Sequence, residues 1–166
     1  MKRDVVDNIL EQWNRERPDL DVSAMGVMGR LNRASGMAHA DLRQFMNQFG
    51  LEPWEFDVIA TLRRARADGP LTSGQLAGMT MVGSAAMTHR IDRLVERGLV
   101  HRETNPANRR QLLLSLTSRG ATLVDDVVGH HVDNQHKMLA ALDATEIQTF
   151  ANLLRKFLLS QGDEFD

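Results

Sequence analysis

The chain has 166 residues and no cysteine, which excludes disulfides, thiolate zinc sites, a catalytic thiol and a cysteine redox switch. Its formal charge is only −2, a balance that taken alone argues against a nucleic-acid binder. Tyrosine is absent and aromatic residues make up 5%, so a core must come from Leu, Val, Ile, Ala and nine Met, which favours packed helices over an all-β sandwich.

The pattern along the chain predicts helices first. Val5, Val6, Ile9, Leu10 and Trp13 recur at helical spacing. Pro18 ends that segment, and Asp21 or Ser23 can cap a second helix running toward Phe49. Its apolar stripe includes Met25, Met28, Leu31, Leu42, Phe45 and Phe49, and Gly50 stops it. Pro53 suits the first turn of a third helix, Trp54 to about Ala67, apolar on most sides and therefore expected to be buried. Asp68-Gly69-Pro70 is a turn, and Leu71-Thr72-Ser73 opens a short helix. A further helix spans about Ser84 to Arg97, with Gly98 as its terminator. Leu99 to Arg102 and Gln111 to Leu116 read as the two strands of a hairpin. Thr117 caps a long helix, and Asp143-Ala144-Thr145-Glu146 has capping-box spacing before the last one. The expected fold is mainly α with a small β-hairpin: a winged helix–turn–helix in a helical frame. Two strands cannot form a sheet with its own core, so the hairpin must lean on helices and project a tip.

The near-zero charge hides a partition. Residues 1–60 carry −3, residues 61–119 carry +6, and residues 120–166 carry −5. All ten bases of the middle segment are Arg, which suits bidentate contact with phosphate and guanine. On a helical wheel Met87, Ile91, Leu94 and Val95 face a core. Ala85, Ala86, His89 and Arg93 lie roughly opposite, a small, polar and basic front that can enter a major groove. Ser84, Ala85, Ala86, Thr88, His89 and Arg93 are the expected DNA-facing residues of this helix. Arg109 and Arg110 fall at the hairpin tip, where they can reach a minor groove.

These residues carry a resemblance. Leu71-Thr72, Gln75-Leu76-Ala77, Ile91-Asp92-Arg93-Leu94, Arg97-Gly98-Leu99-Val100, Asn108-Arg109-Arg110 and Leu116-Thr117-Ser118-Arg119-Gly120 together resemble the MarR family of transcriptional regulators. The resemblance implies a homodimer whose first and last helices intertwine and whose two recognition helices read a palindromic operator in double-stranded DNA. It implies N-terminal helices over 1–50, a DNA-binding winged region over 51–117 and C-terminal dimerisation helices over 118–166, in one compact domain overall. The last helix agrees, because Ile147, Phe150, Leu154, Phe157 and Leu158 are too apolar to be left uncovered. The chain departs from the family at Asn108, where an Asp usually pairs with the Arg two residues on, here Arg110.

The segments Gln12–Asp21 and Glu55–Arg63 narrow the likeness to the urate-responsive PecS/HucR-type branch. That branch has four marker residues, which fall here on Trp13, Asp57, Arg90 and Arg102. The chemistry is reasonable on its own grounds. Asp57 interrupts an apolar stretch, so it is expected to be partly buried and linked to an Arg. Arg90 flanks the core face of its helix and can point inward. A planar anion such as urate could bind Arg90 bidentately, stack near Trp13 and repel Asp57, with Arg102 passing the motion to the wing base. The differential contact would then bias the dimer away from the DNA-fitting state.

Other chemistries find little support. No nucleophile–base motif, phosphate loop or HExxH occurs, so no catalytic residue is assigned and no cofactor is expected beyond a small-molecule effector. His130, His131 and His136 share a helix but do not face one way, so no metal site is assigned. The absence of a long apolar run or a signal-like leader leads us to expect a cytoplasmic protein without a membrane partner. The alternatives are a MarR-type regulator answering a different phenolic or aromatic anion, and a winged-helix adaptor that no longer binds DNA.

Overall fold

Local sequence sets the ends of the helices. The computed structural model describes residues 2–80 and 87–164. They fall into two compact units, Met1–Pro53 and Trp54–Asp166. In the first, α1 (Val5–Glu16) begins on a capping box in which Asp4 and Asp7 exchange side-chain and backbone hydrogen bonds. Arg30 of α2 (Ser23–Asn47) reaches back to both carboxylates, at 2.8 Å and 2.7 Å. Asp21 accepts the Ser23 N–H, and Gly50, at φ 63°, follows the end of α2.

The expected stripe of α2 is shifted at its start. Met25 and Met28 are 47% and 51% exposed, whereas Gly26 between them is buried. A Cβ at Gly26 would sit 3.1 Å from the Leu10 Cδ1, so the absent side chain is what lets α1 come close. The helices meet on glycine rather than on methionine.

The second unit holds α3 (Pro53–Arg64), β1 (Leu71–Thr72), α4 (Ser73–Met79), α5 (Met87–Glu96), β2 (Val100–Thr104), β3 (Leu112–Leu116), α6 (Ser118–Met138) and α7 (Ala144–Ser160). Its core gathers Phe56, Val58, Ile59, Leu62, Leu76, Ile91, Leu94, Leu99 and Leu114. The sheet has three strands rather than two, in the order β1-β3-β2, all antiparallel. Leu71 pairs with Leu114 and Thr72 with Leu113, so the residues expected only to open a helix also complete the sheet. Thr72 then caps α4, with Gln75 returning the bond to its backbone. A two-residue strand has no periodicity to read, and the helix-cap signal at Thr72 masked it.

The C-terminal turn of α5 is held from several sides. Gly98, at φ 66°, lets the chain turn, with Gly98 N–H bonded to Val95 O and Leu99 N–H to Leu94 O. These bonds form a Schellman motif, and Leu94 and Leu99 are both buried beneath it. The carbonyls left over are taken by the start of α6. Thr117 Oγ1 donates to Gly98 O at 2.7 Å and Arg119 donates to Arg97 O at 3.2 Å. A Cβ on Gly120 would lie 2.1 Å from Leu99 O, so only glycine permits this approach. From the other side, the buried Glu55 of α3 accepts a 2.6 Å hydrogen bond from Arg97. Arg63 of α3 also pairs with Asp125 of α6 at 2.7 Å, which holds the Asp125 carboxyl below the usual carboxylate range.

Two outcomes follow for stability. Gly120→Ala, ordinarily favourable in a helix, is expected to lower the free energy of unfolding in urea by about 2–4 kcal/mol, because the methyl meets backbone. Arg97→Ala is expected to cost about 2–3 kcal/mol, the lower range for a buried pair, because Arg97 keeps 34% of its side chain exposed. A joint Glu55→Met/Arg97→Met change should recover most of that loss, and an Arg97→Ala penalty under about 0.5 kcal/mol would show the pair to be idle.

Candidate nucleic-acid interface and anion site

The described part of α5 has two clear faces. Met87, Ile91 and Leu94 are buried, at 3%, 3% and 0% exposure. Thr88, His89 and Arg93 are exposed. This helix follows α4 in a helix–turn–helix order, and its outward face is polar and basic. Ser84, Ala85 and Ala86, expected at its N-terminal turn, lie outside the described residues.

The turn between β2 and β3 carries the second basic group. Arg109 and Arg110 are exposed there. Asn105 Oδ1 accepts the Ala107 N–H at 2.9 Å, and Asn108 Oδ1 accepts the Arg110 N–H at 3.2 Å. Asn108 therefore shapes the turn through a neutral bond to the backbone of Arg110. An uncharged side chain suffices for that bond, which leaves the guanidinium of Arg110 exposed.

Arg90 behaves differently from its neighbours. It is half-buried, and its guanidinium carbon lies 5.6 Å from the centre of the Trp54 ring on α3. Its Nη1 is buried and has no hydrogen-bond acceptor among the described residues. Arg93, one turn on, sets its guanidinium 5.3 Å from the same ring. Both distances are within cation–π range.

The other candidate ligand residues separate into different surroundings. Arg102 of β2 donates to Asp92 of α5 at 2.5 Å, tying the wing to the helix. Asp57 is half-buried on α3, and its carbonyl accepts the Thr61 hydroxyl at 2.7 Å. A buried acid–arginine link joins α3 to the end of α5 at Glu55 and Arg97. Glu55 shares the buried side of α3 with Ile59 and Leu62, while Asp57 lies two positions round the helix. Trp13 sits on α1 and is 42% exposed.

Sequence inspection missed Trp54, Glu55 and Asp92. A signal existed for the first two: an indole and an acid directly after the helix-starting Pro53, in an otherwise apolar segment. Arginines at 90 and 93, three residues apart, already share a helix side. A cavity of about 500 Å³ beside Arg66, Pro70, Leu116 and Thr117 contains none of the expected ligand residues. No group of three His, Asp or Glu among the described residues could hold a metal ion, and no described helix is long and apolar enough to cross a membrane.

A profile of the MarR family matches residues 57–112. The chain is 36% identical over 141 residues to the HTH-type transcriptional regulator PecS of Dickeya dadantii, covering 85% of each protein. Among solved structures, a MarR variant from Escherichia coli complexed with operator DNA superposes with a TM-score of 0.69 at 27% identity, over 88% of this chain and 97% of that one. Bordetella bronchiseptica BpsR, whose structure concerns regulation of its DNA binding by 6-hydroxynicotinic acid, gives 0.68 at 28% identity, over 78% and 91%. The match to PecS along most of both chains, with the winged helix–turn–helix now described, establishes that this chain belongs to the MarR family of DNA-binding transcriptional regulators.

Proposed function

We propose that the protein is a homodimeric, cytoplasmic repressor of sequence-specific type whose hold on a palindromic operator is weakened by urate or a related planar anion. The observation that carries the ligand half is Arg90. A buried guanidinium nitrogen without an acceptor is costly, and an entering anion would supply the missing bond. The arrangement favours a flat ligand, because a guanidinium fork binds two adjacent acceptor atoms in one plane. The four branch markers Trp13, Asp57, Arg90 and Arg102 point to urate among such anions.

The DNA half rests on two exposed groups. Thr88, His89 and Arg93, with Ser84, Ala85 and Ala86 preceding them, would face the major groove. Arg109 and Arg110 would reach the adjacent minor groove, where the negative potential is strongest. The link from Arg102 to Asp92 gives a path by which displacement at the anion site reaches the wing. Dimerisation is supported by α7. None of its residues is buried in the single chain, and Phe150, Leu153 and Leu158 are 43%, 62% and 45% exposed. A second copy would cover that face.

The other candidate effector is a smaller aromatic acid. The likeness to BpsR favours it, since that relative is regulated by 6-hydroxynicotinic acid. The test is a titration of duplex DNA from upstream of the protein's own gene, with urate, xanthine and salicylate as competitors. Urate acting alone at low concentration supports the proposal, and salicylate acting equally well favours the smaller acid. Arg90→Asn should raise the urate needed for release by about tenfold, the loss of roughly one charge-assisted contact, and Trp13→Phe, which keeps a ring, should weaken release by less. Unchanged urate sensitivity in both variants would sink this site. DNA affinity should fall steeply with salt, whereas an adaptor would show no such binding.

A further inference from the structure

We propose that Trp54 forms the aromatic wall of the anion site at Arg90 and, through the same ring, couples that site to the DNA-facing Arg93. This deepens the anion-responsive reading above and rests on it.

Trp54 stands in the first turn of α3, half-buried, facing the side of α5 that carries Arg90 and Arg93. The two guanidinium carbons lie 5.6 Å and 5.3 Å from its ring centre. Each cation is drawn to the negative face of the indole, and each repels the other. Their freedom differs. Arg93 is exposed and can leave the ring for a phosphate. Arg90 is half-buried, and its Nη1 has no acceptor among the described residues, so an anion can supply one. A flat anion with two adjacent acceptor atoms fits this corner, with its edge on the guanidinium and its face along the indole. A deprotonated oxopurine and an aromatic carboxylate both have that chemistry.

The geometry also gives the sign of the response. An anion on Arg90 cancels its charge and weakens its claim on the indole. The repulsion felt by Arg93 falls at the same time. Arg93 is then held more firmly on Trp54 and is less available to DNA. A phosphate that draws Arg93 away has the reverse effect, leaving the ring to Arg90. Anion and DNA thus compete through one indole without sharing an atom, a reciprocal coupling.

The test uses the full chain and the same upstream duplex, with folding checked by circular dichroism. DNA affinity is measured for wild type, Trp54→Leu, Trp54→Phe, Arg93→Gln and Trp54→Leu/Arg93→Gln, with and without urate. Trp54→Met replaces Trp54→Leu if the latter does not fold. Without ligand, the cost of Arg93→Gln should change by about threefold or more when Trp54→Leu is present, as expected for loss of a surface cation–π contact. With urate, the response should fall about tenfold in Trp54→Leu and stay within about twofold of wild type in Trp54→Phe, which keeps a ring face. Independent effects of Trp54→Leu and Arg93→Gln without ligand would overturn the coupling. A full urate response in Trp54→Leu would overturn the aromatic wall. A wild type unmoved by urate would overturn the urate reading alone, and the ligand-free comparison would still decide the role of Trp54.

Discussion

The position of α5 depends on how its C-terminal turn is tied down. A helix leaves its last four carbonyls without partners, and here they lie where strand β2 must begin. Gly98 turns the chain, Thr117 and Arg119 take up carbonyls from Arg97 and Gly98, and Glu55 grips the Arg97 side chain. Two elements, α3 and the start of α6, therefore converge on three residues, Arg97 to Leu99. A short helix with one buried stripe could slide or roll on its apolar contacts alone. Directional bonds at one end remove that freedom, and a reading helix needs a fixed orientation.

The same junction explains why the wing is rigid at its root and open at its tip. Leu99 and Val100 are buried at 1% and 2%, while the rest of β2 is exposed. Leu114 is the fully buried residue of β3, and β1 pairs directly with it. Beyond that level the hairpin has no core, and the Asn105 and Asn108 side chains shape its turn instead. The arginines at the tip are thus carried on a short lever with a firm base. The Asp92–Arg102 pair adds a direct bond between β2 and α5, the two elements that carry the basic groups.

Much of this was legible in the sequence because each local signal agreed with its neighbour. Gly98 after a helical stripe, Thr117 before one and Asp143 in a capping box are short-range signals, and all three act as read. Signals that depend on distant partners were harder. Leu71-Thr72 forms a strand only because β3 lies beside it. The start of α2 buries Gly26 rather than Met25 because α1 approaches a glycine, and hydrophobicity alone ranks those residues the other way. At the candidate anion site the branch markers include Arg90, but its aromatic contact is Trp54, which in sequence is one more apolar residue in a buried helix. Charge showed the same limit. The whole-chain value of −2 averaged a basic reading segment with two acidic flanks, so only the partition carried information.

An orphaned cation is a useful element in a sensor because its cost has the right size. A buried donor left without an acceptor costs about 1–3 kcal/mol, and coupling between sites in regulated proteins spans about the same range. A ligand that satisfies Arg90 would recover that energy on binding. The recovered energy alters DNA affinity only if the two states differ in how Arg90 is held. An isolated Arg90 would bind an anion equally well with or without DNA and would shift nothing. In the coupling proposed above, the Trp54 ring that both guanidinium groups approach would supply the difference, because the position of Arg93 would set how strongly Arg90 is held. The unsatisfied nitrogen and the doubly occupied indole therefore belong to one device. In that proposal the first would give the ligand its affinity, and the second would make that affinity depend on DNA.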